Sequence, residues 1–337
     1  MSVVKVEDAV IRYGRGRSAV TAVDRASLVL GQGASVGLVG ESGSGKSTLA
    51  RAVAGLECLV SGTVMIDGVP VRGRPRRDVQ LVFQDPYAAL NPRRTVGQSV
   101  AEGLGKEARG RGSSVSRQVA QLLEQVGLEP GTADRYPAQL SGGQRQRIVI
   151  ARALAARPAV LIADEITSAL DVSVQGAILN LLRDLQREIG FSLLCISHNL
   201  AVVRYVSDTV AVMYCGQVVE MGETESVLNT PEHPYTRALL ASIPVLDQPI
   251  PVTDQDSTGL DAGMAADSDP ADPAAPPSGC RFHPRCQVGP LINADRIICA
   301  TSDPTVDADG RRHCAACFFA GVATAANAAS DQPAIQP

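Results

Sequence analysis

A glycine-rich run with a single lysine stands near the start of the chain and has the composition of a phosphate-binding loop. Residues 40–48 read GESGSGKST and match the pattern G-x-x-x-x-G-K-[ST]. Glycines let backbone N–H groups converge on phosphate oxygens, and the N-terminus of the next helix adds partial positive charge. Lys46 is predicted to reach the β- and γ-phosphates, and the Ser47 hydroxyl to bind Mg²⁺. The predicted nucleotide-binding residues here are Gly40, Glu41, Ser42, Gly43, Ser44, Gly45, Lys46, Ser47 and Thr48.

Two adjacent carboxylates end an apolar run further along the chain. Residues 160–163 read VLIA and are followed by Asp164 and Glu165. Since the carboxyl ends of parallel strands meet at one edge of a sheet, both carboxylates should lie near the phosphate loop. Asp164 is predicted to hold Mg²⁺, directly or through water, and Glu165 to polarise the attacking water. A solvated turn is the alternative interpretation of this pair.

Short apolar runs alternate with helical patterns around these motifs. Apolar spacing predicts helices over residues 48–56 and 174–186. The predicted strands are residues 3–11, 26–30, 34–39, 159–163, 192–196 and 209–213. Strands that alternate with helices predict an α/β fold with a mainly parallel sheet covered on both faces. Between residues 86 and 158 helical patterns replace strands, which indicates a helical insertion.

Composition and charge exclude several classes of protein. Hydrophobic residues make up 45% of the 337 residues and charged residues 20%, as in a globular chain. The net charge is −4, whereas a protein that neutralises many phosphates of a nucleic acid is usually basic. No apolar run approaches the roughly 18 residues of a membrane span, and the first ten residues do not resemble a signal peptide. We therefore expect a cytosolic chain, no nucleic-acid partner, and membrane contact only through other proteins.

The C-terminal part of the chain differs in composition from the rest. Residues 244–279 contain seven Asp, many Pro and Ala, and no Lys or Arg, which predicts a disordered acidic linker over residues 246–278. Five of the eight cysteines follow within residues 279–319, which we interpret as a separate small unit. In a chain without an export signal, such crowding favours metal binding over disulfides. Residues 320–337 are predicted to form a flexible tail.

Further motifs resemble those of ABC ATPases. Residues 140–144 (LSGGQ) resemble the signature motif of this family, and they precede the Asp164–Glu165 pair as the family requires. The other marks follow in the family's order: Gln84 after an apolar strand, residues 168–171 (SALD), and His198 after the strand at 192–196. Tyr13 stands where the family has the aromatic residue that stacks on adenine. The resemblance implies an ABC nucleotide-binding domain over residues 1–245, with a helical subdomain at about 87–157.

The resemblance also implies a site shared between two subunits. Two nucleotide-binding domains would close head to tail over two ATP molecules, so that one subunit completes the γ-phosphate site of the other. Gln84 would then sense Mg²⁺ and the attacking water, and His198 would contact the γ-phosphate. The residues of the family's later motifs predicted to contribute to nucleotide binding are Ser141, Gly142, Gly143, Gln144 and Asp171. The alternative for Ser141 is a plain helix cap, a role that is compatible with the signature motif. The alternative for His198 is a structural role.

One residue departs from the family pattern. The family usually has proline after the catalytic glutamate, and Ile166 stands there in this chain. The change frees a backbone N–H and loosens the turn, which affects the local geometry rather than the chemistry.

Two stretches resemble one branch of the family, the oligopeptide/dipeptide importer ATPases, a branch that also serves nickel. These are residues 82–92 (VFQDPYAALNP) and 233–240 (HPYTRALL). Residues 144–148 and 169–173 resemble the second of the two nonidentical ATPases of such importers. The resemblance also makes residues 85–94 a docking groove for the membrane subunits, with a plain interdomain loop as the alternative.

The function implied is an ATPase subunit that energises import of oligopeptides or dipeptides, located peripherally at the cytoplasmic face of the cell membrane. Its implied partners are a second ATPase, two transmembrane permease subunits and an extracytoplasmic substrate-binding protein. A homodimer is the alternative to a heterodimer. Nickel or another solute is the alternative substrate, and a soluble ATPase that senses redox state or iron is the alternative function.

The cysteines resemble the tail of the same branch, in which four cysteines can hold a four-iron four-sulfur cluster. Residues 279–286 read GCRFHPRC, and the implied ligands are Cys280, Cys286, Cys299 and Cys314. Zinc suits the same thiolates, and Cys317 could take the place of Cys314. The spacing from Cys286 to Cys299 is longer than in the branch, and Gln287 replaces a proline. A metal-free, reduced tail is the alternative.

Overall fold

The computed structural model of the protein describes residues 2–16, 19–105, 112–168, 170–242, 275–304 and 313–321. The predicted linker lies outside the described residues up to residue 274, and the predicted tail from residue 322 onward. Ala169 of the SALD motif also lies outside them. The predictions for these parts of the chain stay predictions.

Eleven strands form two sheets among the described residues. They are β1 (Ser2–Tyr13), β2 (Val20–Gly31), β3 (Ser35–Val39), β4 (Ser61–Ile66), β5 (Val69–Pro70), β6 (Val79–Val82), β7 (Val160–Asp164), β8 (Ser192–Ile196), β9 (Thr209–Tyr214), β10 (Gln217–Glu223) and β11 (His313–Ala315). One sheet has the order β2-β1-β4-β5 and the other β11-β10-β9-β3-β8-β7-β6. In the larger sheet the five strands from β9 to β6 are parallel, while β10 and β11 are antiparallel additions at one edge.

The predicted α/β fold with a mainly parallel sheet is confirmed for this larger sheet. The two strands nearest the N-terminus, in contrast, belong to the separate antiparallel sheet, where β1 pairs with β2 and β4. Consecutive strands joined by a short connection can pair antiparallel, whereas a parallel pair needs a long crossover.

Ten helices accompany the strands in the described part of the chain. They are α1 (Lys46–Val53), α2 (Pro86–Ala89), α3 (Val96–Ala101), α4 (Gly112–Gln125), α5 (Gly142–Leu154), α6 (Val172–Ile189), α7 (Leu200–Val206), α8 (Thr224–Asn229), α9 (Pro234–Ala241) and α10 (Ile298–Thr301). Between β6 and β7 the described residues form helices and no strand, as the helical insertion predicts. None of the helices that the structure describes is both long enough and apolar enough to cross a membrane.

The core lies on both faces of the parallel strands. Every residue of β3, β7 and β8 is buried, because helices cover one face and the antiparallel sheet with α1 covers the other. Successive residues of β7 enter different clusters: Leu161 packs with Ile148 and Ile178 of the helices, and Ile162 with Leu49 of α1. This two-sided burial holds the ends of neighbouring strands together.

The cysteine-rich segment is not spatially separate from this core, in contrast to the prediction of a separate unit. Strand β11 pairs with β10, and Phe282, Cys286 and Val288 pack in one cluster with Tyr214 and Tyr235. A segment of about 40 residues can rarely bury a core of its own, so its apolar side chains are buried against the larger domain.

Candidate functional site

The phosphate loop joins β3 to α1 and closes around one ammonium group. The Lys46 Nζ atom donates hydrogen bonds to the Gly40 carbonyl at 2.9 Å, the Glu41 carbonyl at 2.7 Å and the Ser44 hydroxyl at 3.2 Å. Glycine is required at two turns of this loop, since Gly40 has φ 150° and Gly45 has φ 102°. A Cβ atom on either residue would also collide with a backbone carbonyl, that of Met213 or of Ala22.

Carboxylates surround the buried ammonium. Burial lowers the pKa of Lys46, while the charges of Glu165, Asp164 and Glu41 act in the opposite direction. The lysine is therefore desolvated but still faces negative charge from three residues. A cation so placed can compensate the charge of a polyphosphate.

The two predicted Mg²⁺ ligands of the loop and the sheet are hydrogen-bonded to each other. The Ser47 hydroxyl donates to Asp164 Oδ1 at 3.1 Å. Asp164 is the last residue of β7, and burial raises the pKa of its carboxyl group, an effect that the Ser47 hydrogen bond opposes. A hydroxyl beside a carboxylate suits Mg²⁺, which prefers oxygen ligands and retains several waters.

Glu165 occupies a turn at the end of β7 in a left-handed conformation. Its φ is 49°, which is uncommon for a residue with a side chain, and its N–H donates to the Ile196 carbonyl at 3.0 Å. The Glu165 Oε1 atom lies 3.3 Å from the Nδ1 atom of His198, which follows β8 and is exposed. The predicted base and the predicted γ-phosphate contact are therefore neighbours.

Ser168 connects Gln84 to this turn. The Ser168 hydroxyl donates to the Glu165 carbonyl at 2.8 Å and accepts a hydrogen bond from Gln84 Nε2 at 3.2 Å. The Ser168 N–H also donates to the Glu165 carbonyl, at 3.1 Å, so the turn is closed although Ile166 replaces proline. The ends of β6, β7 and β8 thus bring Gln84, Glu165 and His198 into one group.

The LSGGQ motif caps α5. The Ser141 side chain accepts a hydrogen bond from the Gln144 N–H at 3.3 Å, and Gln144 Oε1 accepts from the Ser141 N–H at 3.1 Å. Ser141 is exposed, and a Cβ atom on Gly143 would lie 2.6 Å from Val174 of α6. The helix-cap interpretation is therefore confirmed, while a role in a second subunit's site stays a prediction. Asp171 is the residue before α6 and is exposed.

Tyr13 lies at the end of β1 beside the first helix. Its side chain is 39% exposed, and its hydroxyl faces the side chains of Thr48 and Glu57. An exposed aromatic ring next to the phosphate loop can stack on a base. The structure places Tyr13 beside Thr48, and its stacking on adenine remains a prediction.

Two residues at the phosphate loop were not predicted as site residues. The Tyr235 hydroxyl accepts a hydrogen bond from the Glu41 N–H at 2.9 Å, and the Arg285 guanidinium lies 3.3 Å from Glu41 Oε1. They are 194 and 244 residues from Glu41, so no local spacing could have found them. The only signal was that both lie in stretches that resemble the importer branch.

The cysteines are grouped differently from the prediction. Cys280, Cys286, Cys299 and Cys317 line one apolar cavity with Phe282 and Phe319, whereas Cys314 Sγ faces the Met221 carbonyl at 3.6 Å. Cys317, the alternative fourth thiol, thus replaces Cys314 in this group. Strand β11 turns Cys314 toward β10, while Cys317 follows the end of the strand.

As arranged, these thiols do not fit a metal cluster. The cavity holds about 10 Å³, which is the space of one water. Among the described residues, no group of three or more His, Cys, Asp or Glu side chains is placed to hold a metal ion. Burial raises the pKa of Cys280 to about 12 and that of Cys317 to about 11, so both thiols are protonated at neutral pH.

The fold and the site together define a P-loop nucleotide-binding protein whose phosphate loop, paired carboxylates, glutamine and histidine lie at the ends of neighbouring parallel strands. Comparison with known families narrows this class to one family. Residues 23–168 match the ABC transporter family, and residues 219–289 match the C-terminal region of oligopeptide/dipeptide transporters. The chain belongs to the ABC transporter family, and the predicted family and fold class are confirmed.

Two relatives illustrate the match. A glutathione import ATP-binding protein of Salmonella typhimurium (strain LT2) is 52% identical over 242 residues, which is 70% of this chain and 39% of that protein. This chain therefore spans well under half of the length of that relative. A protein of Brucella ovis that is named as a peptide import ATP-binding protein is 43% identical over 315 residues, covering 91% of this chain and 95% of that protein.

Solved structures show the same fold. The ATP-binding cassette MJ0796, solved as a dimer in a post-hydrolysis state with ADP and Pi, has a TM-score of 0.60 and 31% identity. It covers 66% of this chain and 98% of its own. The structure of cbiO1 from Clostridium perfringens has a TM-score of 0.61 and 28% identity, and covers 68% of this chain and 91% of its own.

Proposed function

We propose that this chain is an ATP-hydrolysing subunit that energises the import of oligopeptides or dipeptides through a multi-subunit ABC transporter. The observation that carries the proposal is the hydrogen bond from Ser47 to Asp164, which joins the phosphate loop to the paired carboxylates. Membership of the ABC transporter family, the match to the C-terminal region of oligopeptide/dipeptide transporters, and the names of the relatives support the transported class.

ATP and Mg²⁺ are the proposed ligands of the site. Lys46 and the backbone N–H groups of the loop bind the phosphates, and Ser47, Asp164 and Gln84 hold or sense Mg²⁺. Bound Mg²⁺ supplies charge stabilisation to the phosphates during transfer. The Glu165 carboxylate accepts a hydrogen bond from the attacking water and takes its proton as the water oxygen bonds to the γ-phosphorus and the bond to the β-phosphate oxygen breaks. The products are ADP and inorganic phosphate.

His198 has a role beside Glu165. Its Nδ1 atom lies 3.3 Å from Glu165 Oε1, so the ring can orient the carboxylate and present its other nitrogen toward the γ-phosphate. Because Glu165 is held in a left-handed turn whose N–H is bonded to Ile196, its position is fixed before nucleotide arrives.

Substituting Glu165 tests the proposal. Glu165→Gln keeps the shape of the side chain but removes the proton acceptor, so we expect unchanged Mg²⁺–ATP affinity and a turnover at least about 100-fold lower. Glu188→Gln, an exposed glutamate on α6, is the matched control and should hydrolyse ATP at the wild-type rate. Wild-type turnover in Glu165→Gln would refute Glu165 as the base.

The proposed partners are a second ATPase, two permease subunits and an extracytoplasmic binding protein, with the chain at the cytoplasmic face of the membrane. The exposed cap at Ser141 supports a site completed by another ATPase, of which a nonidentical copy is proposed and an identical copy is the alternative. The segment after Gln84 supports docking, since Tyr87 is 64% exposed with the Arg145 guanidinium 3.9 Å from its ring centroid.

Purification from the native membrane separates the candidate functions. Copurification with two membrane subunits supports the importer, and stimulation of hydrolysis by peptide-loaded binding protein but not by nickel supports the substrate class. Full ATPase activity of the chain alone, altered by oxidation, would instead support the soluble regulatory ATPase.

A metal held by Cys280, Cys286, Cys299 and Cys317 is a separate proposal, which requires these thiols to move from the arrangement described above. It is supported by the four thiols that line one cavity, and opposed by the size of that cavity and the spacing of the thiols. Anaerobic purification followed by iron and zinc analysis tests it. Cys317→Ser should abolish metal content and Cys314→Ser should retain it, while wild-type protein free of both metals would end the proposal.

A further inference from the structure

Glu41, the second residue of the phosphate loop, is held by groups from the C-terminal part of the chain. Its N–H donates to the hydroxyl of Tyr235 on α9 at 2.9 Å. Both oxygens of its carboxylate face the Arg285 guanidinium, at 3.3 and 3.4 Å, and Arg285 also lies 3.4 Å from the Tyr214 hydroxyl. Its carbonyl accepts a hydrogen bond from the Lys46 ammonium at 2.7 Å. Elements far apart in sequence thus fix the charge and the backbone of this residue.

Tyr235 fixes the backbone of the loop. Its side chain is 1% exposed, and its ring packs against Tyr214 and Phe282 with centroids 4.5 and 5.5 Å away. Burial raises the pKa of Tyr235, so the hydroxyl stays neutral. Because the Glu41 N–H is bonded to this hydroxyl, it is not available to a phosphate, and the following N–H groups of the loop remain for that role.

Arg285 compensates an unfavourable charge. A carboxylate in a loop that binds triphosphate repels the ligand, and the repulsion grows where water is partly excluded. The Glu41 side chain is 31% exposed and that of Arg285 only 18%. Salt and water therefore screen their attraction less than they screen the attraction between two fully exposed charges. The pair therefore offsets the repulsion and holds the carboxylate toward the cysteine-rich segment.

Arg285 is itself fixed by that segment. It ends the short 3-10 turn His283–Arg285, and the next residue, Cys286, is buried in the thiol-lined cavity. Arg281 anchors the same turn region through an ion pair to Asp24 and a hydrogen bond to the Cys215 carbonyl. A shift of the cysteine-rich segment would hence move the guanidinium away from Glu41.

We propose that Arg285 and Tyr235 are positioning residues of the phosphate loop, through which docking of the cysteine-rich segment sets the affinity for nucleoside triphosphate. The proposal rests on the proposed function, since it concerns the same loop. Coupling between two sites is reciprocal. Nucleotide binding should in turn hold the segment in place and protect its thiols.

A double-mutant cycle tests the charge step. Equilibrium binding of Mg²⁺–ATP is measured for wild type, Arg285→Gln, Glu41→Gln and the double variant. We expect Arg285→Gln to weaken binding about ten-fold, but less than about two-fold when Glu41→Gln is present, since no carboxylate then remains to be compensated. Arg285→Lys keeps the charge and should stay within about three-fold of wild type.

The control and a second measurement exclude a general loss of structure. Arg204→Gln removes an exposed ion pair outside the segment, that with Glu225, and should leave ATP affinity unchanged. In the wild-type chain, ATP should slow the labelling of Cys286 by a thiol reagent severalfold. This measurement needs no variant, so it still tests the inference if Arg285→Gln fails to fold.

Three results overturn the inference: an equal effect of Arg285→Gln with and without Glu41→Gln, a loss of affinity in Arg204→Gln as large as in Arg285→Gln, or labelling of Cys286 that ATP does not change. Failure of wild-type protein to bind Mg²⁺–ATP at all would instead refute the proposed function.

Discussion

Asp164 and His233 are buried titratable residues whose pKa values move in opposite directions. Burial raises the pKa of Asp164 and lowers that of His233 to about 3, because in each case desolvation disfavours the charged form. Asp164 has a Ser47 hydroxyl beside it, whereas the ring of His233 accepts a hydrogen bond from the Tyr235 N–H. These two residues therefore give separate pH dependences, one of ligand binding and one of stability.

As the solution is acidified, Mg²⁺ affinity should begin to fall at a higher pH than it would if Asp164 had the pKa of an ordinary aspartate. Protons compete with Mg²⁺ for the Asp164 carboxylate, and its raised pKa brings that competition closer to neutrality. We expect Mg²⁺ binding in the presence of ATP to weaken steadily as the pH falls from 7.5 to 5. Asp164→Asn is the control, since it retains the titration of ATP itself. Parallel pH profiles of the two proteins would contradict this assignment.

Folding stability should fall in acid through His233. The unfolded chain takes up this proton below about pH 6.5, whereas the folded chain does so only near pH 3, so stability is lost as the pH falls between these values. The loss is at most about 1.4 kcal/mol per pH unit. His233→Asn keeps a capping acceptor for α9 and removes the titration. Its Tm should change less than that of wild type between pH 7 and 5, and equal slopes would exclude His233.

The helix α5 joins a structural cap to a predicted functional face. Ser141 and Gln144 satisfy two backbone N–H groups between them, while the hydroxyl stays exposed. The close approach of Gly143 to Val174 packs this helix start against α6. A single element thus serves local stability and carries the face that is predicted to meet a second subunit.

Two substitutions separate these roles of Ser141. Ser141→Ala removes the cap and should lower the free energy of unfolding by about 1 kcal/mol, whereas Ser141→Asn retains an acceptor and should lower it by only a few tenths. Both should lose most ATP hydrolysis, because neither keeps a hydroxyl for the second subunit's γ-phosphate. Chemical denaturation and ATPase assays on the two variants check this. Full hydrolysis in Ser141→Asn would show that the residue acts only as a cap.

At the scale of the whole molecule, the single chain holds only half of the predicted site. The phosphate loop and the carboxylates meet within one chain, whereas Gly142 and Gly143 lie near Leu170 and Val174, which a Cβ atom on either glycine would meet. Head-to-tail association is the predicted arrangement, since it would bring this face to another chain's nucleotide.

Glu165→Gln should therefore dimerise when ATP is added, by itself or with its partner ATPase. Unhydrolysed ATP remains between the two surfaces, so light scattering should report a doubled mass with ATP and Mg²⁺ and a monomer with ADP. Adding Ser141→Asn should remove the ATP-dependent dimer. A monomer with saturating ATP, with or without the partner ATPase, would contradict the shared site.

The phosphate loop was predictable from the sequence because its groups come from consecutive residues, and the carboxylates because an apolar strand precedes them. The parallel strands β3, β7, β8 and β9 followed from their apolar runs, whereas no range was predicted for β6, whose run is interrupted by Gln80. The short strands β5 and β11 gave no such signal, since each has only two or three residues and forms by pairing with a partner strand. Membership of the family followed from ordered motifs rather than from physical pattern.

Only the tertiary structure decided how the C-terminal part meets the site. Arg285 and Tyr235 reach Glu41 across 244 and 194 residues, and Cys317 rather than Cys314 joins the other thiols because β11 turns Cys314 toward β10. Contacts between distant residues depend on which apolar surfaces are buried together, and composition and spacing do not specify that pairing. The sequence alone thus determined the chemistry of the phosphate loop, and packing determined which distant residues contact it.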